Sequence, residues 1–93
     1  MQIKRAAVAG TLESSDIMVK VLPDTAGIHI VLTSSVENYY GDSIRGTIRQ
    51  ALGDMGVEAA GIEAVDHGAL DCTIRARVTT AVRRAAAGEE AEK

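Results

Sequence analysis

The stretch Gly10-Thr11-Leu12-Glu13-Ser14-Ser15-Asp16 sets two adjacent hydroxyls between two carboxylates, close behind a glycine and just ahead of an alternating apolar run. Two chemistries fit those residue types. Ser and Asp side chains hydrogen-bond to nearby backbone, so such a cluster makes a polar turn between strands and needs no further role. A serine hydroxyl on an exposed loop is also accessible to a modifying enzyme, which makes it an attachment point.

The other reactive side chains form no constellation. Cys72 has no CxxC or CxxH partner, and its place on the apolar face of an alternating run predicts a buried structural thiol. His29 and His67 are far apart in sequence and neither is paired with a nucleophile or a metal-ligand set; His67 reads as an exposed turn residue. Glu63, Asp66 and Asp71 read as acids of an outer sheet face. Arg75, Arg77, Arg83 and Arg84 are the notable basic set, either a solvated surface or a contact for phosphates or an acidic partner. There is no glycine-rich phosphate loop and no dinucleotide fingerprint. No catalytic residues and no metal site are expected, so the chain reads as a non-enzyme.

Three ordered blocks carry a resemblance. Ala7-Val8-Ala9-Gly10-Thr11-Leu12-Glu13-Ser14-Ser15-Asp16-Ile17-Met18-Val19 resembles the acyl carrier protein (gamma subunit) of citrate lyase. Ser34-Ser35-Val36-Glu37 with Tyr40-Gly41-Asp42-Ser43-Ile44-Arg45 fits the same family, as does Asp66-His67-Gly68-Ala69-Leu70-Asp71-Cys72-Thr73-Ile74-Arg75-Ala76-Arg77-Val78. The likeness therefore spans nearly the whole chain.

The resemblance implies a covalent prosthetic arm derived from triphosphoribosyl-dephospho-CoA, joined to a serine through a phosphodiester. The family motif places that serine at Ser14, with Ser15 the runner-up in the next position, where glycine is common. It further implies that the arm presents acetyl and citryl thioesters to the α (transferase) and β (lyase) subunits of citrate lyase, in cleavage of citrate to oxaloacetate and acetate, and that a prosthetic-group transferase attaches it. A malonate decarboxylase carrier bears the same kind of arm, but the Gly10–Glu13 lead-in and the Gly68–Cys72 block favour citrate lyase; a citramalate lyase carrier shares these features. Without the resemblance, the residues also suit a small α+β interaction or ligand-binding module whose serine turn is only a turn.

The elements that must position the serine turn follow from periodicity. Residues 3–10 make a short, alanine-rich first strand. Ile17, Val19 and Val21 alternate with Met18 and Lys20 as a half-buried strand. Pro23 to Gly27 is a turn, and Ile28, Ile30 and Leu32 form a return strand, which predicts an antiparallel hairpin with the serine turn at one end. Ser34-Ser35-Val36-Glu37 fits a capping box opening a helix with a stripe of Val36, Tyr40, Ile44, Ile48, Leu52 and Met55, stopped by Gly53 or Gly56. Residues 57–66 read as a strand and Asp66-His67-Gly68 as a turn. Residues 69–77 read as a strand passing into a helix near Val78 that ends at Gly88, although Leu70, Ile74, Val78 and Val82 also fit a helical series. The fold class expected is α+β: a small single domain over 1–88, mostly antiparallel sheet with one central amphipathic helix and a C-terminal helix, unlike the four-helix carriers of fatty-acid synthesis. The acidic tail 89–93 is expected to fray.

Composition agrees with a small globular chain. Of 93 residues, 46% are hydrophobic and 25% charged, yet there is no Phe or Trp and there are two Tyr, so the core must be aliphatic. A net charge of −3 argues against nucleic-acid binding. No apolar run reaches the ~20 residues of a membrane span. One cysteine cannot form an internal disulfide, which fits a cytoplasmic location.

Overall fold

The computed structural model describes residues 1–35 and 37–87, without the side chains of Glu37 and Asn38. In chain order the elements are β1 (Ala7–Ala9), β2 (Ile17–Leu22), β3 (Ile28–Ser34), α1 (Glu37–Asp54), β4 (Ala60–Asp66) and α2 (Asp71–Ala86). The strands form one sheet in the order β1-β2-β4-β3. β2 pairs antiparallel with both β1 and β4, whereas β3 and β4 run parallel. The sheet is therefore mostly antiparallel and the fold is α+β, as the sequence predicts.

The strand alternation sorts the sheet into two faces. Ile17, Val19 and Val21 of β2 are buried, as are Ala60, Ile62 and Ala64 of β4. Register places Val19 beside Ala64 and Ala64 beside Leu32, so these residues share one face. Both helices cover that face: α2 packs on β1 and β2, and α1 packs on β3 and α2. The result is a two-layer domain with an aliphatic core, to which α1 contributes Ile44, Ile48, Ala51 and Leu52. Met55 packs at its edge, while Tyr40 of the expected stripe is exposed. Past α1, Gly56 turns the chain with φ +72°.

Three expectations are corrected. β2 and β3 do not form a hairpin, because β4 lies between them. The short Pro23–Gly27 connection keeps the two strands near one another but does not decide pairing. α1 returns the chain so that β4 enters parallel to β3, and the alternating small and large residues Ala60, Ile62 and Ala64 suit a strand that, like β2, is bonded on both edges. Residues 71–77 are also not a strand. α2 begins at Asp71, and Ile74, Val78, Ala81, Val82 and Ala85 all face the core. That helical period buries five side chains at once, which outweighs the strand preference of Thr73, Ile74 and Val78. Cys72 is exposed as a result, not a buried thiol.

Val36 and residues 88–93 lie outside the described residues, and with them the capping box, the Gly88 stop and the tail. Among the described residues, no helix is long and apolar enough to cross a membrane.

Candidate functional site: the serine turn

The serine turn joins β1 to β2 at one end of the sheet, and its shape is set residue by residue. Gly10 has φ +101°, and a Cβ there would stand 1.9 Å from the carbonyl oxygen of Ile17. Only glycine lets the two strands leave the turn this close. The Asp16 N–H donates to the Glu13 carbonyl at 3.2 Å, closing the four-residue turn Glu13–Asp16. Ser15, third in that turn, is the one non-glycine residue among the described residues held at positive φ, at 62°. That position ordinarily favours glycine.

Asp16 ties the turn to the rest of the fold. Its carboxylate is largely buried and accepts from Arg77 Nε at 3.1 Å and Nη2 at 2.8 Å. It also accepts from Thr11 Oγ1 at 2.6 Å and from the Ile17 N–H at 2.7 Å. The Arg77 fork, then the Thr11 hydroxyl and the Ile17 amide, hold its carboxyl well below the usual carboxylate range. The same pairing pushes Arg77 up from its ordinary value. Thr11 Oγ1 in turn accepts the Glu13 N–H at 3.2 Å.

A second tie continues the β2–β4 ladder beyond the strands. Ser15 N–H donates to the His67 carbonyl at 2.7 Å, and His67 N–H donates to the Asp16 carbonyl at 2.9 Å. Behind His67, Asp66 is 1% exposed and accepts from Ser34 Oγ at 2.8 Å and from the Gly68 and Ala69 amides at 3.0 Å each. Asp66 is thus the buried hub of the β4–α2 turn and not an outer-face acid. Its hydrogen bonds answer its burial.

Ser14 and Ser15 themselves are exposed, and neither hydroxyl has a hydrogen-bond partner among the described residues. Among the described residues no base is hydrogen-bonded to either hydroxyl, and both oxygens of Asp16 are engaged elsewhere. The arrangement holds a hydroxyl out to solvent on a braced backbone. Among the described residues, no group of His, Cys, Asp and Glu could hold a metal ion.

The four-arginine set divides. Arg75 reaches α1, donating to Gln50 and, at 3.2 Å, to Asp54. Arg77 braces the serine turn, and Arg84 donates to the Val8 carbonyl at 2.8 Å. His67 is exposed in its turn, as expected, and His29 is exposed. The structural roles of Asp16, Arg77 and Asp66 are missed by sequence reasoning. Reading 69–77 as a strand put Arg77 on an outer face, whereas the competing i+4 series set it on the flank of a helix.

A family model described as malonate decarboxylase delta subunit (MdcD) matches residues 4–85. The chain is 61% identical over 87 residues to the citrate lyase acyl carrier protein of Streptococcus mutans, covering 92% of this chain and 85% of the relative. It is 57% identical over 90 residues to the protein of that name from Streptococcus equi subsp. zooepidemicus, covering 96% and 88%. The chain belongs to the citrate lyase acyl carrier protein family. As a member it is a carrier and not a catalytic subunit. A crystal structure of a Pseudomonas malonate decarboxylase hetero-tetramer in complex with malonate contains a chain of the same fold, with TM-score 0.71 and 21% identity over 90% of this carrier and 91% of that chain.

Proposed function

We propose that this carrier serves citrate lyase by holding a phosphoribosyl-dephospho-CoA arm on Ser14 Oγ. The observation that carries the reading is an exposed, unpartnered hydroxyl at the tip of a turn that Arg77, Asp16 and His67 hold still. In attachment, Ser14 Oγ bonds to the first phosphorus of a triphosphoribosyl donor, pyrophosphate leaves, and the hydroxyl proton passes to a base. No base of this chain is hydrogen-bonded to Ser14 among the described residues, so this reading assigns that base to the prosthetic-group transferase. Ser14 is exposed among the described residues, which leaves room for a bulky group.

When bound, the arm supplies a terminal thiol that carries acyl groups between the transferase and lyase active sites. The carrier's part is to fix one end of it. A tether rooted on a braced turn holds the thiol at an effective concentration on the order of millimolar at both sites. Ser14 is favoured over Ser15 because Ser15 occupies the positive-φ position suited to glycine and gives its amide to His67. The names of the relatives at 57–61% identity support citrate over malonate as the pathway's acid. The single domain over 1–88 and a cytoplasmic location belong to the same reading.

The test is transfer of the arm in a reconstituted reaction with the transferase and its triphosphoribosyl donor. Wild type and Ser15→Ala should gain the adduct mass, and Ser14→Ala should not. Retained modification of Ser14→Ala contradicts the assignment.

A further inference from the structure

At the end of α2 farthest from the serine turn, Arg5, Arg83 and Arg84 converge on an open hollow of about 620 Å³ floored by Ala6, Ala7, Val8 and Ala87. Arg5 Nε donates to the Arg84 carbonyl at 3.2 Å, and Arg84 Nη1 to the Val8 carbonyl at 2.8 Å, so the guanidinium groups are positioned by backbone. The side chain of Arg83 has no partner among the described residues, and no described carboxylate lines the hollow. Arginines in a last helical turn are favourable to the helix dipole, which accounts for Arg83 and Arg84. Arg5 arrives from the segment before β1 and closes on the end of α2, its amide donating to the Ala85 carbonyl at 3.1 Å.

We infer that this hollow binds the diphosphate of the arm carried on Ser14, a nucleoside-diphosphate subsite on the carrier itself. The inference rests on the Ser14 reading. Two turns of α2, roughly 10 Å, separate Arg77 at the serine turn from Arg84. In such an arm the diphosphate is spaced from the serine oxygen by one phosphate and two ribose rings, a comparable span. Planar guanidinium forks match phosphate oxygens bidentately, and the flat small-residue floor leaves room for a sugar or base. The arm would then rest along the β1–α2 edge and lift off when the thiol enters a partner's active site.

The test compares amide NMR spectra of unloaded and fully loaded protein, with loading checked by mass. The expected result is shifts at Arg5–Val8 and Arg83–Ala87, together with a displaced diphosphate phosphorus resonance. Arg83→Glu, loaded to the same mass, should lose at least half of both shifts. Shifts confined to residues 10–17 and 66–69 overturn the proposal. Dephospho-CoA added to unloaded protein is the second arm of the experiment. If it shifts the hollow while the tethered arm does not, the site serves a nucleotide from solution and the assignment to the arm is wrong. A chain that accepts no adduct overturns the Ser14 reading instead, and the dephospho-CoA titration still decides whether the hollow binds nucleoside phosphates.

Discussion

Arg77 on α2 grips both carboxylate oxygens of Asp16, 61 residues earlier, at 2.8 and 3.1 Å. The pair joins the end of the serine turn to the helix layer, and with the Ser15–His67 amide bond it fixes the root of Ser14 from two directions. Arg77→Met should leave the core intact and loosen the turn. Hydrogen exchange at the Ser15 and Asp16 amides should quicken about tenfold or more, with smaller changes in β4. Arg77→Lys keeps charge but loses the fork, and should fall between the two.

The same pair gives acid sensitivity of a definite sign. The folded state holds the Asp16 carboxyl below its ordinary value, so its contribution to stability is fully present above the unfolded pKa, about 4, and is lost as pH falls through the depressed folded value. Asp24, lowered by the Ala26 amide, acts in the same direction in an exposed loop. In denaturant titrations, the stability gap between wild type and Asp16→Asn should be constant above about pH 5 and narrow below about pH 4. A gap that widens on acidification contradicts the assignment.

Gly10 and Ser15 make opposite demands on the same turn. Gly10→Ala drives a Cβ into the Ile17 carbonyl, and should cost at least ~2 kcal/mol of stability or prevent folding. Ser15→Gly releases a residue held at φ 62°, and should be neutral or stabilising by up to ~1 kcal/mol. Ser15→Gly should also accept the arm as well as wild type does; loss of loading in that variant would move the attachment point from Ser14.

Gly46 of α1 is exposed, and a Cβ added there meets nothing within 4 Å. Close packing is therefore not its reason for being glycine. Gly46→Ala should raise stability by ~0.5–1 kcal/mol, read as a higher denaturation midpoint at unchanged slope.

Where one local pattern dominated, the sequence was legible. The alternation of Ile17, Val19 and Val21 became β2, the Ile44–Ile48–Leu52 stripe became the buried side of α1, and the serine cluster became an exposed turn. The hairpin failed because strand order is set across the whole sheet: residues 57–66 read as a strand, but nothing local in their alanines and glycine marked β4 as the strand that enters between β2 and β3. The 69–77 reading failed because Ile74 fits both a period of two and a period near four; the burial of Val78, Ala81 and Val82 beyond it selects the helix. That error hid half of the site. Ser14 could be named from its motif, but Asp16 and Arg77 meet only once α2 lies across β2, and Asp66 looked like any turn acid until Ser34 and two amides closed around it.

The central claim is that Ser14 carries the arm. The most direct measurement is the intact mass of the protein taken from its own cells growing on citrate without oxygen, followed by fragmentation of the Gly10–Asp16 peptide. A mass increase matching phosphoribosyl-dephospho-CoA, localised to Ser14, is the result expected. An unmodified mass from cells whose prosthetic-group transferase is active, or an adduct localised elsewhere, would contradict the account.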